Sequence, residues 1–349
     1  MTKKSSVCAA VLLSLPLLVQ AHAHPDGLPV AHAFDMTQWK ITLPMDQDND
    51  SRADEIKGVP MQNYQHPDFF YLNEKKELVF QVPNRAVTTQ GSTNARSELR
   101  QMLWPDLATV DKREADPANN WVLAAHPEAK NHATVGGVLS ATLVVDHVAK
   151  NSASPEKMPA YSVVVGQIHA GGQKDKIASG FGYGNEPLKI FYKKWPEHQY
   201  GSVFWTYERN LAKEDSNRQD IAFPVWGHTW DNGAEPGEAG IALGESFSYK
   251  VEVVGNDMHL TFTSPRHGTQ NLTIDLSKGL VINGQVDTLD NPRGYAEDWF
   301  YYKAGAYGQC NVNAGESFWA TNCRGSGDWA TDFANGDYHR VRFTELALK

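Results

Sequence analysis

"SFSYKVEVVGNDMHLTFTS", residues 246–264, decides the fold. Phe247, Tyr249, Val251 and Val253 alternate with polar residues, and so do Met258, Leu260 and Phe262 after them. A period of two marks a strand with one buried face, and Gly255-Asn256-Asp257 between the runs supplies turn-forming residues. The stretch predicts an antiparallel hairpin. Outward from it, "NLTIDL" (271–276) and the closing "HRVRFTELAL" (339–348) continue the pattern. Upstream, "ELVFQV" (77–82), "GVLSATLVVDHV" (137–148), "YSVVVGQIHA" (161–170) and "LKIFYKKW" (188–195) are rich in β-branched and aromatic residues. No helical periodicity is sustained beyond a few turns. Short strands punctuated by Gly, Pro, Asn and Asp across one compositionally even chain predict an all-β sandwich or jelly roll. One domain over residues 24–349 is expected, with long loops near 105–132, 171–187 and 208–240.

The first 23 residues read as a signal peptide. Lys3 and Lys4 precede an apolar run from Val7 to Val19, and Ala21-His22-Ala23 has the small-x-small cleavage pattern. The run is too short for a membrane span, and no other segment approaches the length that a span needs. A secreted or periplasmic chain is expected, cut near Ala23, with no membrane partner. Export leaves Cys310 and Cys323, which are expected to bridge in an oxidising compartment; the alternative is two buried thiols. Two cysteines do not make a Cys-rich zinc site, and no metal is expected. The chain carries 41 acidic against 32 basic residues, a net charge of −9. That is a poor footprint for nucleic acid, and a polyanionic substrate would need a local basic cleft. A monomer is expected.

Three strands share an oddity. In "YYKAGAYGQC" (301–310) alternation puts Tyr301, Lys303, Tyr307 and Gln309 on one face and Tyr302, Ala304 and Ala306 on the other. In "NARSELRQM" (94–102) it gathers Arg96, Glu98 and Arg100, and in "VVGQIHA" (164–170) Gln167 and His169. Each alone reads as well as a solvated sheet face, and a lone His is more often structural than catalytic. If the three strands are neighbours, however, all these groups converge on one sheet face.

"RSELR" (96–100), "QIH" (167–169) and "YYKAGAYGQ" (301–309) resemble the three signature segments of polysaccharide lyase family 7, the alginate lyases, in the family's order. "FDMTQWKITLP" (34–44) and the closing strand are similar to its first and last strands, so the resemblance spans the chain after the signal. It implies a jelly-roll β-sandwich with a concave sheet forming the substrate groove, alginate as substrate and no cofactor. Arg96, Gln167, His169 and Tyr307 match the family's catalytic residues. Glu98, Arg100, Tyr301, Lys303 and Gln309 would line the groove around them. Tyr302 stands where phenylalanine is common, on the opposite face. Ile168 leans, by the same resemblance, toward guluronate-containing blocks.

The chemistry explains those residue types. Eliminating the 4-O-glycosidic bond of a uronate requires removal of the C5 proton, which is poorly acidic beside a carboxylate. Arg96 and Gln167 would neutralise that carboxylate and stabilise the developing charge. A base must take the proton and an acid must protonate O4. On mannuronate the two are syn, and Tyr307 could do both; on guluronate they are anti, with His169 as base and Tyr307 as acid. Glu98 reads as the residue that orients the flanking arginines. A glycoside hydrolase on a similar sandwich would need two carboxylates flanking the bond. The acidic residues outside Glu98 look scattered over loops. A carbohydrate-binding module or lectin would account for the 10 Trp and 13 Tyr, but not for the Arg, Gln, His and Tyr cluster.

Overall fold

The hairpin forms where the alternation places it, from Ser246–Val254 and Asp257–Ser264, with Tyr249 opposite Phe262 and Val251 opposite Leu260. The structure, a computed structural model, describes residues 28–103 and 116–349. The expected signal segment lies outside the described residues, as do 105–115 of the first expected long loop.

The hairpin belongs to a seven-stranded antiparallel sheet. Its order is Gly268–Asp275, Asp257–Ser264, Ser246–Val254, Gly137–His147, Tyr338–Leu348, Leu78–Pro83 and Phe70–Leu72. A second sheet of eleven strands runs Asp220–Trp226, Tyr200–Glu208, Leu188–Lys193, Ser162–Ala170, Trp299–Gly308, Arg96–Gln101, Trp39–Thr42 and Glu55–Ile56, with three short strands off that path. Several neighbours in space, such as Ser162–Ala170 and Trp299–Gly308, are distant in sequence, as the crossing connections of a jelly roll require. Leu99, Ile168, Ile190 and Trp205 from the larger sheet meet Phe80, Leu139, Val251 and Phe343 from the smaller in one buried core. Polar tips bridge the layers: Tyr302 Oη donates to the Gly137 carbonyl at 2.7 Å and Tyr249 Oη to that of Val165 at 3.0 Å. Tyr302 thus faces the core, as its alternation predicts.

Two of the longer strands escaped the sequence pattern. Tyr200–Glu208 is buried along nearly its whole length, so it carries no alternation. Asp220–Trp226 falls inside the stretch expected to be a loop. Its Pro224 argues against a strand, but this one is the sheet's edge, and the proline sits beside a register shift opposite Phe204.

One glycine sets the shape of the functional face. In Trp299–Gly308 the register against Ser162–Ala170 shifts between Ala304 and Tyr307, while pairing to Arg96–Gln101 continues unbroken. Gly305 lies in this bulge with φ 146°, and a Cβ there would stand 2.6 Å from the Ser97 carbonyl oxygen and 2.8 Å from the Glu98 Cα. Any side chain would push the two strands apart.

Candidate active site

Backbone register brings the three polar strands together. Trp299–Gly308 lies between Ser162–Ala170 and Arg96–Gln101, as convergence on one face requires. Tyr301 is paired with His169, Lys303 with both Gln167 and Arg100, Gly305 with Glu98, and Tyr307 with Arg96. The Lys303 row extends to Lys40 on one side and Lys189 on the other, so cations stand on several adjacent strands. Although this is the outer face of the sheet, Gln167 is 1%, Arg100 5% and Lys303 6% exposed. They form a buried polar floor.

Glu98 is the hub. Its carboxylate accepts from Arg96 Nη1 at 2.9 Å and also meets Lys303 Nζ and Gln167 Nε2. The sequence suggested that Glu98 orients two arginines; it holds one arginine, a lysine and an amide. Arg100 donates to the Gln101 carbonyl at 2.7 Å, and its guanidinium lies 3.9 Å over the Tyr301 ring. The Arg96 guanidinium lies 4.0 Å over the ring of Tyr307, whose hydroxyl meets Ser92 Oγ at 3.0 Å. Arg96 Nε and Gln167 Oε1 are buried with no partner among the described residues, a donor and an acceptor on this face. Gln309 sits apart: it is 2% exposed, and its amide turns to the backbone carbonyls of Tyr307 and Gly308.

His169 stacks on Tyr301, with centroids 5.1 Å apart. Its Nδ1–H donates to the Ala170 carbonyl at 2.6 Å, which leaves the lone pair on Nε2. Burial, with Lys303 and Arg96 nearby, pushes the imidazole down to about 4 against the pull of Glu186, so it is neutral at pH 7 and able to accept a proton. Burial, aided by Arg96, also pushes Lys303 down to about 8. The Gln167–Lys303 row separates His169 from Tyr307 along the strands, giving two proton-transfer groups on either side of a carboxylate-binding floor.

Several functional neighbours escaped the sequence reading. Ser92, Lys40 and Lys189 carry no motif of their own; register alone could have placed the two lysines. Glu186, Glu208 and Asp220, which look scattered in sequence, gather beside His169. The Glu186 backbone N–H donates to Glu208 Oε2 at 2.9 Å, and Lys189 and Arg218 engage the two carboxylates as ion-pair partners. An aromatic group, Phe191, Phe204 and Trp230, adjoins Tyr307 on the same face, with Phe318 and Trp319 against Trp230. Phe318 and Trp319 lie in the loop closed by the Cys310–Cys323 disulfide, as export predicted the pair to bridge.

A jelly-roll sandwich with an Arg, Gln, His and Tyr constellation on a cationic floor is that of a polysaccharide lyase. The family model for alginate lyase matches residues 34–349, and the chain belongs to that family, polysaccharide lyase family 7. An alginate lyase of Klebsiella pneumoniae is 35% identical over 287 residues, covering 79% of this chain and 83% of that protein. The exolytic PL7 alginate lyase AlyA5 of Zobellia galactanivorans superposes with a TM-score of 0.71 at 32% identity, over 91% of this chain and 96% of that one. The crystal structure of the alginate lyase from Klebsiella pneumoniae gives 0.68 at 28%, over 92% and 98%.

Proposed function

We propose that this alginate lyase is exported after removal of a signal peptide near Ala23 and acts as a monomer on guluronate-containing blocks by anti β-elimination, releasing unsaturated oligosaccharides. The observation that carries the stereochemical reading is the placement of a neutral His169, its lone pair on Nε2, and of Tyr307 on opposite sides of the Gln167–Lys303 row. The uronate carboxylate is held by the floor: Arg96 through its unpartnered Nε–H, and Lys303 through its charge. These buried, fixed donors stabilise the charge that develops as C5 loses its proton. His169 Nε2 takes that proton, the C5–H pair becomes the C4–C5 double bond, and the C4–O4 bond breaks as the Tyr307 hydroxyl protonates O4. On mannuronate, where proton and leaving group are syn, Tyr307 serves both steps.

Ultraviolet absorbance of the conjugated double bond, followed on polyguluronate, polymannuronate and mixed alginate, tests the preference. Faster initial rates on the guluronate-containing polymers are expected. Faster cleavage of polymannuronate would overturn it. Export is tested separately by the N-terminal sequence of protein recovered outside the cytoplasm, which should begin at His24.

A further inference from the structure

The carboxylate nearest His169 belongs to none of the segments that define the family resemblance. Glu186 precedes the strand Leu188–Lys193, and its Oε1 stands 3.4 Å from His169 Nε2, the atom that carries the lone pair. Its surroundings fix it. Its backbone N–H donates to Glu208 Oε2 at 2.9 Å, and its Oε2 faces Lys189 Nζ at 3.5 Å. Lys189 meets Asp220 Oδ2 at 2.9 Å, Asp220 Oδ1 accepts from Thr206 at 3.1 Å, and Arg218 Nη2 meets Glu208 Oε1 at 2.9 Å. Lys303 and Arg96 face His169 from the neighbouring strands, and Tyr301 packs on its ring.

The charges within this group decide its use. Glu208 accepts from the Glu186 backbone N–H and pairs with Arg218. Burial, with Glu186 beside it, pushes Glu208 well above the usual carboxyl range; for Glu186, burial is outweighed by Lys189 and His169, which hold it below that range. Glu186 thus presents a carboxylate oxygen to an imidazole that Lys303 and Arg96 face from the floor.

We propose that Glu186 is the positioning residue for His169: its charge, 3.4 Å from Nε2, stabilises the imidazolium formed when Nε2 takes the C5 proton, while the Nδ1–H bond to the Ala170 carbonyl and the stack on Tyr301 hold the ring. The imidazolium then gives its proton to solvent, and solvent reprotonates the Tyr307 phenolate. This rests on the reading of His169 as the base in anti-elimination.

Glu186→Gln keeps the shape and removes the charge. On polyguluronate kcat should fall at least about tenfold with KM within about threefold, while polymannuronate, where Tyr307 is the base, loses less. In a His169→Asn background the same substitution should add almost nothing, because Glu186 acts through the missing ring. Additive losses, equal losses on both polymers, or an unchanged kcat would each overturn the proposal. Should the amide variant not fold, Glu186→Asp, which keeps the charge on a shorter stem, enters the same cycle with a smaller loss expected. A folded His169→Asn enzyme that loses polyguluronate turnover by about 10²-fold or more would uphold the His169 base; unchanged turnover in His169→Asn would instead sink that earlier reading.

Discussion

Tyr307→Phe removes one oxygen from the site and little else. The ring keeps its packing beside the Phe191 and Phe204 cluster and its contact with the Arg96 guanidinium, 4.0 Å from the centroid. What it loses is the hydroxyl and its 3.0 Å hydrogen bond to Ser92 Oγ. A neutral hydrogen bond at a partly exposed site contributes about 1 kcal/mol, so Tm should fall by no more than about 2–4 °C. Loss of a general acid or base costs about 10²- to 10⁴-fold in rate, roughly 3–5 kcal/mol of barrier. The kinetic penalty should therefore exceed the stability penalty several-fold. Initial rates from ultraviolet absorbance on polyguluronate and polymannuronate, beside thermal melts of the same preparations, measure both. Ser92→Ala is the control: it deletes the same hydrogen bond but leaves the phenol, and should keep turnover within about tenfold of wild type. A folded Tyr307→Phe enzyme retaining more than about a tenth of wild-type turnover would refute the assignment of Tyr307 as acid.

Lys303, pushed down to about 8 by burial, with Arg96 beside it, is charged below that pH and neutral above it. KM for alginate should therefore rise as pH passes 8, and Lys303→Arg, which stays charged, should abolish the rise; its persistence at the same pH would assign it to another group. His339 is fully buried and pushed down to about 3 by burial, with His147 adding to the effect. Its folded value lies below the ordinary 6.5, so the unfolded chain binds the proton first, and stability is lost as pH falls from 6.5 toward 3, by at most about 1.4 kcal/mol per pH unit. Thermal melts between pH 7 and pH 5 should show the decline, and His339→Gln should flatten it. Cys310→Ser opens a loop whose ends are 13 residues apart and should cost about 3 kcal/mol, read from denaturant midpoints. Because that loop carries Trp319 against the aromatic group at Tyr307, KM should rise more than kcat falls.

The 246–264 hairpin and the Gly137–His147 strand were legible by alternation, and the buried strands Ser162–Ala170 and Leu188–Lys193 by their β-branched and aromatic content, whereas Tyr200–Glu208 and Asp220–Trp226, interrupted by Pro224, were not. Alternation also told which residues share a face, and Arg96, Glu98, Gln167, His169, Lys303 and Tyr307 do meet there. What alternation leaves open is register across strands far apart in sequence. Glu98 binding Lys303 and Gln167, Arg100 turning toward Tyr301, and Lys189 joining the floor all depend on register. Glu186 was the hardest to see, because it lies off the end of its strand and reaches His169 only through the turn that brings Asn185 against Ala170. Gln309 was misjudged by the same rule: it lies past the last strand residue, where alternation no longer governs which way a side chain points.

Mass spectrometry of the products, with reducing ends counted in the same digest, tests elimination on this floor most directly. Elimination gives each new non-reducing end a C4–C5 double bond and makes that fragment lighter by one water than the hydrolysis product. Every new reducing end made by the wild-type enzyme should be matched by one unsaturated fragment, and both should vanish together in Tyr307→Phe. Saturated fragments in step with the reducing ends would mean that water, not the C5 proton, is what the site activates, and would contradict the account.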